Sequence, residues 1–184
     1  ILSNEKEKAS EYLGQFAQLT RSILDNSRSL SIPLSDELKM LHQYLALESH
    51  RFQQNIHWTF TISPDIDEEN LLVPSMLLQP FAENAVLHGL APKGGGHIAV
   101  EISQQEGSLQ CIIRDDGVGR RAAPSTDGKP RHASAGMRLI SERIDAFAEI
   151  EGQAGAIAIL DLKDAEGNPT GTEVVIRLPW VEAV

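Results

Sequence analysis

The chain has 184 residues and 41% hydrophobic content, enough for the core of one domain or of one domain plus a smaller element. Its formal charge of −10 comes without any block of Lys or Arg, which argues against a nucleic-acid footprint. No apolar run approaches membrane-spanning length and there is no signal-peptide pattern; the single cysteine, Cys111, allows no internal disulfide and fits a reducing compartment. The start at Ile1 rather than Met leads us to expect a piece cut from a longer protein.

Asn4 followed by Glu7 has the form of a capping box. Tyr12, Leu13, Phe16, Leu19, Ile23 and Leu24 then recur at spacings of three and four, which predicts an amphipathic helix. Pro33 breaks it, and a second helix is expected from a cap at Ser35, with Leu38, Leu41, Leu45 and Phe52 as its stripe. Together they predict a helical hairpin over residues 1–52 whose apolar face needs a partner. Beyond Phe52 the period becomes two. Residues 56–63 alternate as a strand, 97–103 and 108–114 form a hairpin around Glu106-Gly107, and 156–162 and 171–178 form another through Gly167, Asn168 and Pro169. Helical stretches at 74–89 and 134–150 lie between them. The pattern predicts an α+β fold over 53–184, a two-layer sandwich with helices covering one face of a mixed sheet. Gly94 to Gly96 reads as a flexible joint, and 120–133 as a polar loop without periodicity.

Four stretches carry chemistry. In "CIIRDDGVG" (111–119) a strand ends in two carboxylates and a G-x-G. Ionised Asp accepts hydrogen bonds without donating, which suits an exocyclic amino group, and glycine lets a ligand approach the main chain. In "QPFAENAVLHG" (79–89), Glu83 and Asn84 interrupt an apolar helix. The Asn84 carbonyl is a hard oxygen suited to Mg²⁺, and His88 follows one turn later on the same face. In "SAGMRLISERI" (134–144) small residues open a helix whose free N–H groups favour phosphate. In "GTEVVIRLP" (171–179) Gly171 and Thr172 open a strand. Taken singly, each also reads as ordinary structure: a solvated turn, a hydrogen-bonded crevice, a serine cap, a strand start.

In this order and spacing the four resemble the N box and the three G boxes of the ATP-binding fold of histidine kinases, gyrase and MutL, the Bergerat type. Upstream, "LSDELKMLHQYLALESHRF" and "VPSMLLQPFAENAVLHG" resemble the LytS/YehU-type sensor histidine kinases, and the likeness runs from about residue 10 to 179. It implies that Asn84 binds Mg²⁺, with Glu83 beside it to polarise water or metal. It implies that Asp115 reads the adenine amino group and that Gly117 and Gly119 let a lid leave the pocket. Gly136, with the N–H groups of Met137 and Arg138, would meet phosphate, His88 would face the same ligand, and Thr172 would sit near the base. The 120–133 loop becomes an ATP lid bearing Arg120, Arg121, Lys129 and Arg131.

The sequence departs from that pattern in places. Leu87 stands where a Lys or Arg is common, Ser134 where the second G box opens with Gly, and Leu139 where Asn is frequent. Arg138, Lys93 or the lid are candidate replacement cations. The N-P-H-F-x-F-N-like acceptor segment of the family is missing. His42 and His50 lack its context and read as structural or surface residues, His57 and His97 as surface residues, and His132 as a lid residue. The resemblance implies transfer of the ATP γ-phosphoryl group to a histidine upstream of this chain and then to a response regulator. The protein would work as a homodimer on the cytoplasmic side, touching a membrane only through upstream segments. The alternative is a nucleotide-binding or dimerisation module with little kinase activity. An ATP-hydrolysing enzyme is disfavoured, because Pro80 occupies the place of the water-activating carboxylate.

Overall fold

A computed structural model describes residues 2–26, 29–53, 55–119, 135–150 and 152–183. The chain runs α1 (Leu2–Asn26), β1 (Ser31–Pro33), α2 (Leu34–Arg51), β2 (Ile56–Ile62), β3 (Leu72–Pro74) and α3 (Gln79–Asn84). After α3 come a π-helical segment (Ala85–Leu90) and a 3₁₀ turn (Ala91–Lys93). Then follow β4 (Gly96–Gln105), β5 (Ser108–Asp115), α4 (Ala135–Ile150), β6 (Ala156–Lys163) and β7 (Pro169–Pro179).

Five strands form one mixed sheet in the order β2-β4-β5-β7-β6, with β2 parallel to β4 and the other pairs antiparallel. Alternation decides which face is buried. Ile98, Val100 and Ile102 of β4 oppose Asp115, Ile113 and Cys111 of β5, which in turn oppose Thr172, Val174 and Ile176 of β7. These apolar side chains share one core with residues of α2, α3 and α4. On the other face, Arg114 pairs with Glu173 and, at 3.6 Å, with Glu101. The expected α+β sandwich is present, and both expected hairpins form. The first turns through Glu106 and Gly107, both at positive φ (52° and 77°), the geometry that twists a two-residue hairpin correctly.

Several local expectations give way. Helix α1 already runs from Leu2, so Asn4 and Glu7 lie inside it and not at its start. Helix α2 begins at Leu34 behind Pro33, with no side-chain cap from Ser35. The break between the helices is itself a strand: β1 pairs antiparallel with β3, matching Ile32 to Val73. The helix expected over 74–89 starts only at Gln79, because 72–74 is spent on β3. Gly94 to Gly96 is no flexible joint. A β-carbon on Gly96 would fall 2.3 Å from Asp116 Oδ1 and one on Gly95 2.4 Å from the Asn55 carbonyl, so both are clamped.

The core also crosses the boundary expected at residue 52. Leu34, Leu41 and Leu45 of α2 are fully buried in the same core as the sheet. Helix α1 contributes Leu19 to that core and leaves Leu13, Phe16 and Leu24 more than half exposed.

Candidate nucleotide-binding site

Strand β5 lies between β4 and β7, so its last residue, Asp115, ends inside the sheet next to Ile98 and Thr172. Its side chain points to the helical face and is 5% exposed. The Gly117 N–H donates to Asp115 Oδ1 at 2.9 Å, a bond that fixes the carboxylate rotamer. Burial raises the Asp115 pKa above the usual carboxylate range, and the Gly117 and Thr172 N–H groups and Lys93 offset part of that rise.

Three glycines make this arrangement possible. A β-carbon on Gly89 would stand 2.7 Å from Asp115 Oδ1, and one on Gly117 would meet the Gly89 backbone at 2.4 Å. The Val118 N–H closes the contact by donating to the Gly89 carbonyl at 3.0 Å. Gly171, at φ 144°, passes so close that a β-carbon there would overlap the Asp115 carbonyl oxygen. Neither Gly89 nor Gly171 stood among the expected site residues. The glycine ending the N-box stretch was the available signal, since an unforced glycine weakens a helix.

Asp116 points away from Asp115 and ties down the strand exit. Its Oδ1 accepts the His97 N–H at 2.8 Å and Lys93 Nζ at 2.9 Å, and Lys93 also donates to its carbonyl. Burial opposes ionisation of Asp116, but the His97 N–H and Lys93 outweigh it and hold the carboxyl below the usual range. Lys93 is therefore paired with Asp116 in this structure. His97, expected as a plain surface residue, pins the exit through its backbone.

Asn84 ends α3 with its side chain exposed, and the chain then continues as the π-helical segment. Segments with i→i+5 bonds are rare and concentrate at functional sites. In an α-helix, Gly89 would stand about 140° round from Asn84. The π turn changes the helical phase between Asn84, which is exposed, and Gly89, which is buried against Asp115. His88 is exposed nearby. Glu83 is half-buried and accepts Gln79 Nε2 at 3.0 Å. Its charge also reaches Tyr44 of α2, whose hydroxyl is pushed up first by burial and then by Glu48 and Glu83.

The other side of the pocket is partly described. Gly136 and Met137 lie in the first turn of α4, and Arg138 is exposed with Glu142 at 3.8 Å. Leu87 and Leu139 are 43% and 55% exposed. Gly119 adopts φ 66°, and Ser134 and the 120–133 loop, including the four lid cations and His132, lie outside the described residues. The structure thus joins Asp115, Gly117 and Thr172 directly, sets Asn84 and His88 on the adjoining helical segment, and engages Glu83 with Gln79.

Among solved structures, the histidine kinase domain of the Erythrobacter litoralis EL346 blue-light activated histidine kinase superposes with TM-score 0.56 at 16% identity, covering 95% of this chain and 82% of that one. Full-length ShkA in complex with AMPPNP gives TM-score 0.56 at 18% identity over 100% of this chain and 40% of that one. ThkA in complex with the response regulator TrrA gives 0.51 at 12% identity, covering 98% and 52%. These likenesses show the fold. The histidine kinase family model matches residues 1–56. YwpD of Bacillus subtilis is 31% identical over 150 residues, 79% of this chain and 53% of that protein. Sensor protein LytS of Staphylococcus epidermidis is 32% identical over 118 residues, 62% of this chain and 19% of that protein. This chain is related to the C-terminal region of LytS-type sensor histidine kinases. It spans about half of YwpD and about a fifth of LytS.

For a LytS-type catalytic region, ATP and Mg²⁺ are the implied ligands, and the residues fit them. A buried, acceptor-only carboxylate at a strand end suits an amino group. Among the described residues no three His, Cys, Asp or Glu gather into a metal cage. A single exposed amide oxygen on Asn84 matches an ion that keeps its waters and leans on phosphate oxygens. Among the described residues no helix is long and apolar enough to cross a membrane.

Proposed function

We propose that this chain binds ATP with Mg²⁺ and is the catalytic region from which the γ-phosphoryl group passes to a histidine nitrogen and then to a response regulator. The observation that carries the reading is the Asp115 carboxylate, buried at a strand end and locked between Gly89, Gly117 and Thr172. Asp115 accepts the adenine amino group, and its bond from Gly117 holds it ready without rearrangement. Thr172 stands beside it, near the base. Asn84 holds Mg²⁺, whose chemistry when bound is to neutralise phosphate charge. The first turn of α4, at Gly136, Met137 and Arg138, directs N–H groups at phosphate, and His88 faces the same ligand. Glu83, oriented by Gln79, polarises water or metal beside Asn84. A neutral imidazole is already nucleophilic, so transfer needs positioning and charge neutralisation more than a strong base.

ShkA with AMPPNP and ThkA with TrrA are the structural neighbours that support nucleotide and regulator as ligands. We further place the catalytic unit from β1 onward, since α2 is buried with the sheet, and assign homodimerisation to α1, whose Leu13, Phe16 and Leu24 are exposed. This unit would work on the cytoplasmic side. A second reading, a nucleotide-binding or dimerisation module with little kinase activity, is favoured by the exposed Leu87 and Leu139 in place of polar groups.

Calorimetric titration with Mg-ATP tests the pocket, and absence of heat at millimolar nucleotide overturns both readings. Transfer of radiolabel from ATP to a supplied N-P-H-F-type histidine segment then separates kinase from passive binder.

A further inference from the structure

Ser75, fully buried between β3 and α3, joins three elements through a short chain of hydrogen bonds. Arg143 of α4 donates from Nη1 to the Ser75 carbonyl at 2.8 Å and to its Oγ at 3.0 Å. Ser75 Oγ donates onward to the Ser29 carbonyl at 2.7 Å, and the Ser75 N–H donates to the Leu30 carbonyl at 3.3 Å. Ser29 and Leu30 are the link between α1 and β1. Arg143 is seven residues after Gly136 on the same helix, and Ser75 is four before Gln79, the first residue of α3. A charged donor serving two acceptors on one residue fixes distance and direction better than a single neutral bond. The hydroxyl relays that constraint, because it accepts from Arg143 while donating to Ser29.

We infer that Arg143 and Ser75 are positioning residues that set α4 against the segment leading to Asn84 and tie both to the exit of α1. A ligand that orders the first turn of α4 therefore also orders the link at residues 29–34, and the set of α1 feeds back on ligand affinity. Coupling between sites is reciprocal and commonly worth roughly 5–150-fold in affinity. The identity of the ligand rests on the nucleotide reading; the latch does not.

The test is amide hydrogen exchange at Ile32, Leu34 and Ser75 in the 184-residue chain, with and without Mg²⁺ and a non-hydrolysable ATP analogue, alongside calorimetry. Saturating analogue should slow exchange there by on the order of fivefold or more. Ser75→Ala and Arg143→Met should abolish that response and weaken binding on the order of tenfold, while Arg143→Lys, with a shorter reach but the same charge, restores part of both. Thermal melts identify any variant that fails to fold, and the Lys variant then carries the comparison. Nucleotide-dependent protection of the same size in variants and wild type overturns the inference, as does a wild-type chain that binds analogue without protecting these amides. If the wild type binds no nucleotide, the proposed function fails by itself. The latch is then judged without ligand, where faster exchange in both variants supports it and unchanged exchange overturns it.

Discussion

Gly89 and Asp115 touch so closely that a single added methyl at Gly89 would sit 2.7 Å from the carboxylate oxygen Oδ1. The end of a helical segment and the end of a sheet strand thus meet through the one residue type that leaves room for the acid. Gly89→Ala should destabilise the fold by roughly 1–3 kcal/mol through overpacking. It should also displace Asp115 and weaken nucleotide binding. Chemical denaturation and calorimetry on the same variant check the two effects.

Asp115→Asn keeps the shape and exchanges an acceptor-only group for one that also donates. Nucleotide binding should fall more than tenfold, roughly 1.5–3 kcal/mol, with the fold retained. A variant that binds ATP like the wild type would mean that Asp115 does not read the base.

Lys93 offers a contrasting case. Its ammonium is bound to Asp116 at the protein surface, so Lys93→Met should cost less than about 1 kcal/mol of stability and leave nucleotide affinity nearly unchanged. A large loss of affinity in calorimetry would return Lys93 to the phosphate site.

Glu37 of α2 is buried, and its carboxylate accepts the Met76 N–H at 3.0 Å and the Leu78 N–H at 2.8 Å, just ahead of α3. Burial pushes its pKa from 4.5 up to about 7, against the pull of those N–H groups. Because the folded value is the higher one, the native state holds the proton more tightly than the unfolded chain. The associated stability is complete below about pH 4.5 and is lost as pH rises through about 7, roughly 3 kcal/mol in all. Denaturation across that window should show the wild type losing stability relative to Glu37→Gln, which has no carboxyl to titrate. Parallel pH profiles would contradict it.

Leu13 and Phe16 of α1 are 64% and 54% exposed on one side of the helix. If they form the contact between two copies, Leu13→Glu with Phe16→Glu should shift the chain to monomer in sedimentation equilibrium while leaving the far-ultraviolet spectrum unchanged. An unaltered association state removes α1 as the dimer surface.

Local patterns predicted much of this molecule correctly. The period-two runs mark the five sheet strands to within a few residues, because one face of each must meet the core. Glu106-Gly107 marks its turn, because that turn needs positive φ. Strand β1 was not legible, since three residues ending in proline carry no periodicity and exist as a strand only because β3 pairs with them. Nor was the role of α2. Its stripe announced an amphipathic helix, whereas burial of Leu34, Met40, Leu41, Tyr44 and Leu47 on several sides came from packing against β2 and α3 as well as α1.

The same division runs through the candidate site. The sequence by itself determined the residue types: an acid at a strand end, an amide in an apolar helix, glycines after each. These are local choices with a local cost, and so they can be read locally. Only the tertiary structure decided that Lys93 pairs with Asp116 and that Gly89 is where the helical segment meets Asp115. Those outcomes depend on strand register and on which backbones cross within van der Waals distance, relations between residues far apart in the chain. "CIIRDDGVG" supplied two adjacent acids, and the sheet buried Asp115 while Asp116 pairs with Lys93 and the His97 N–H.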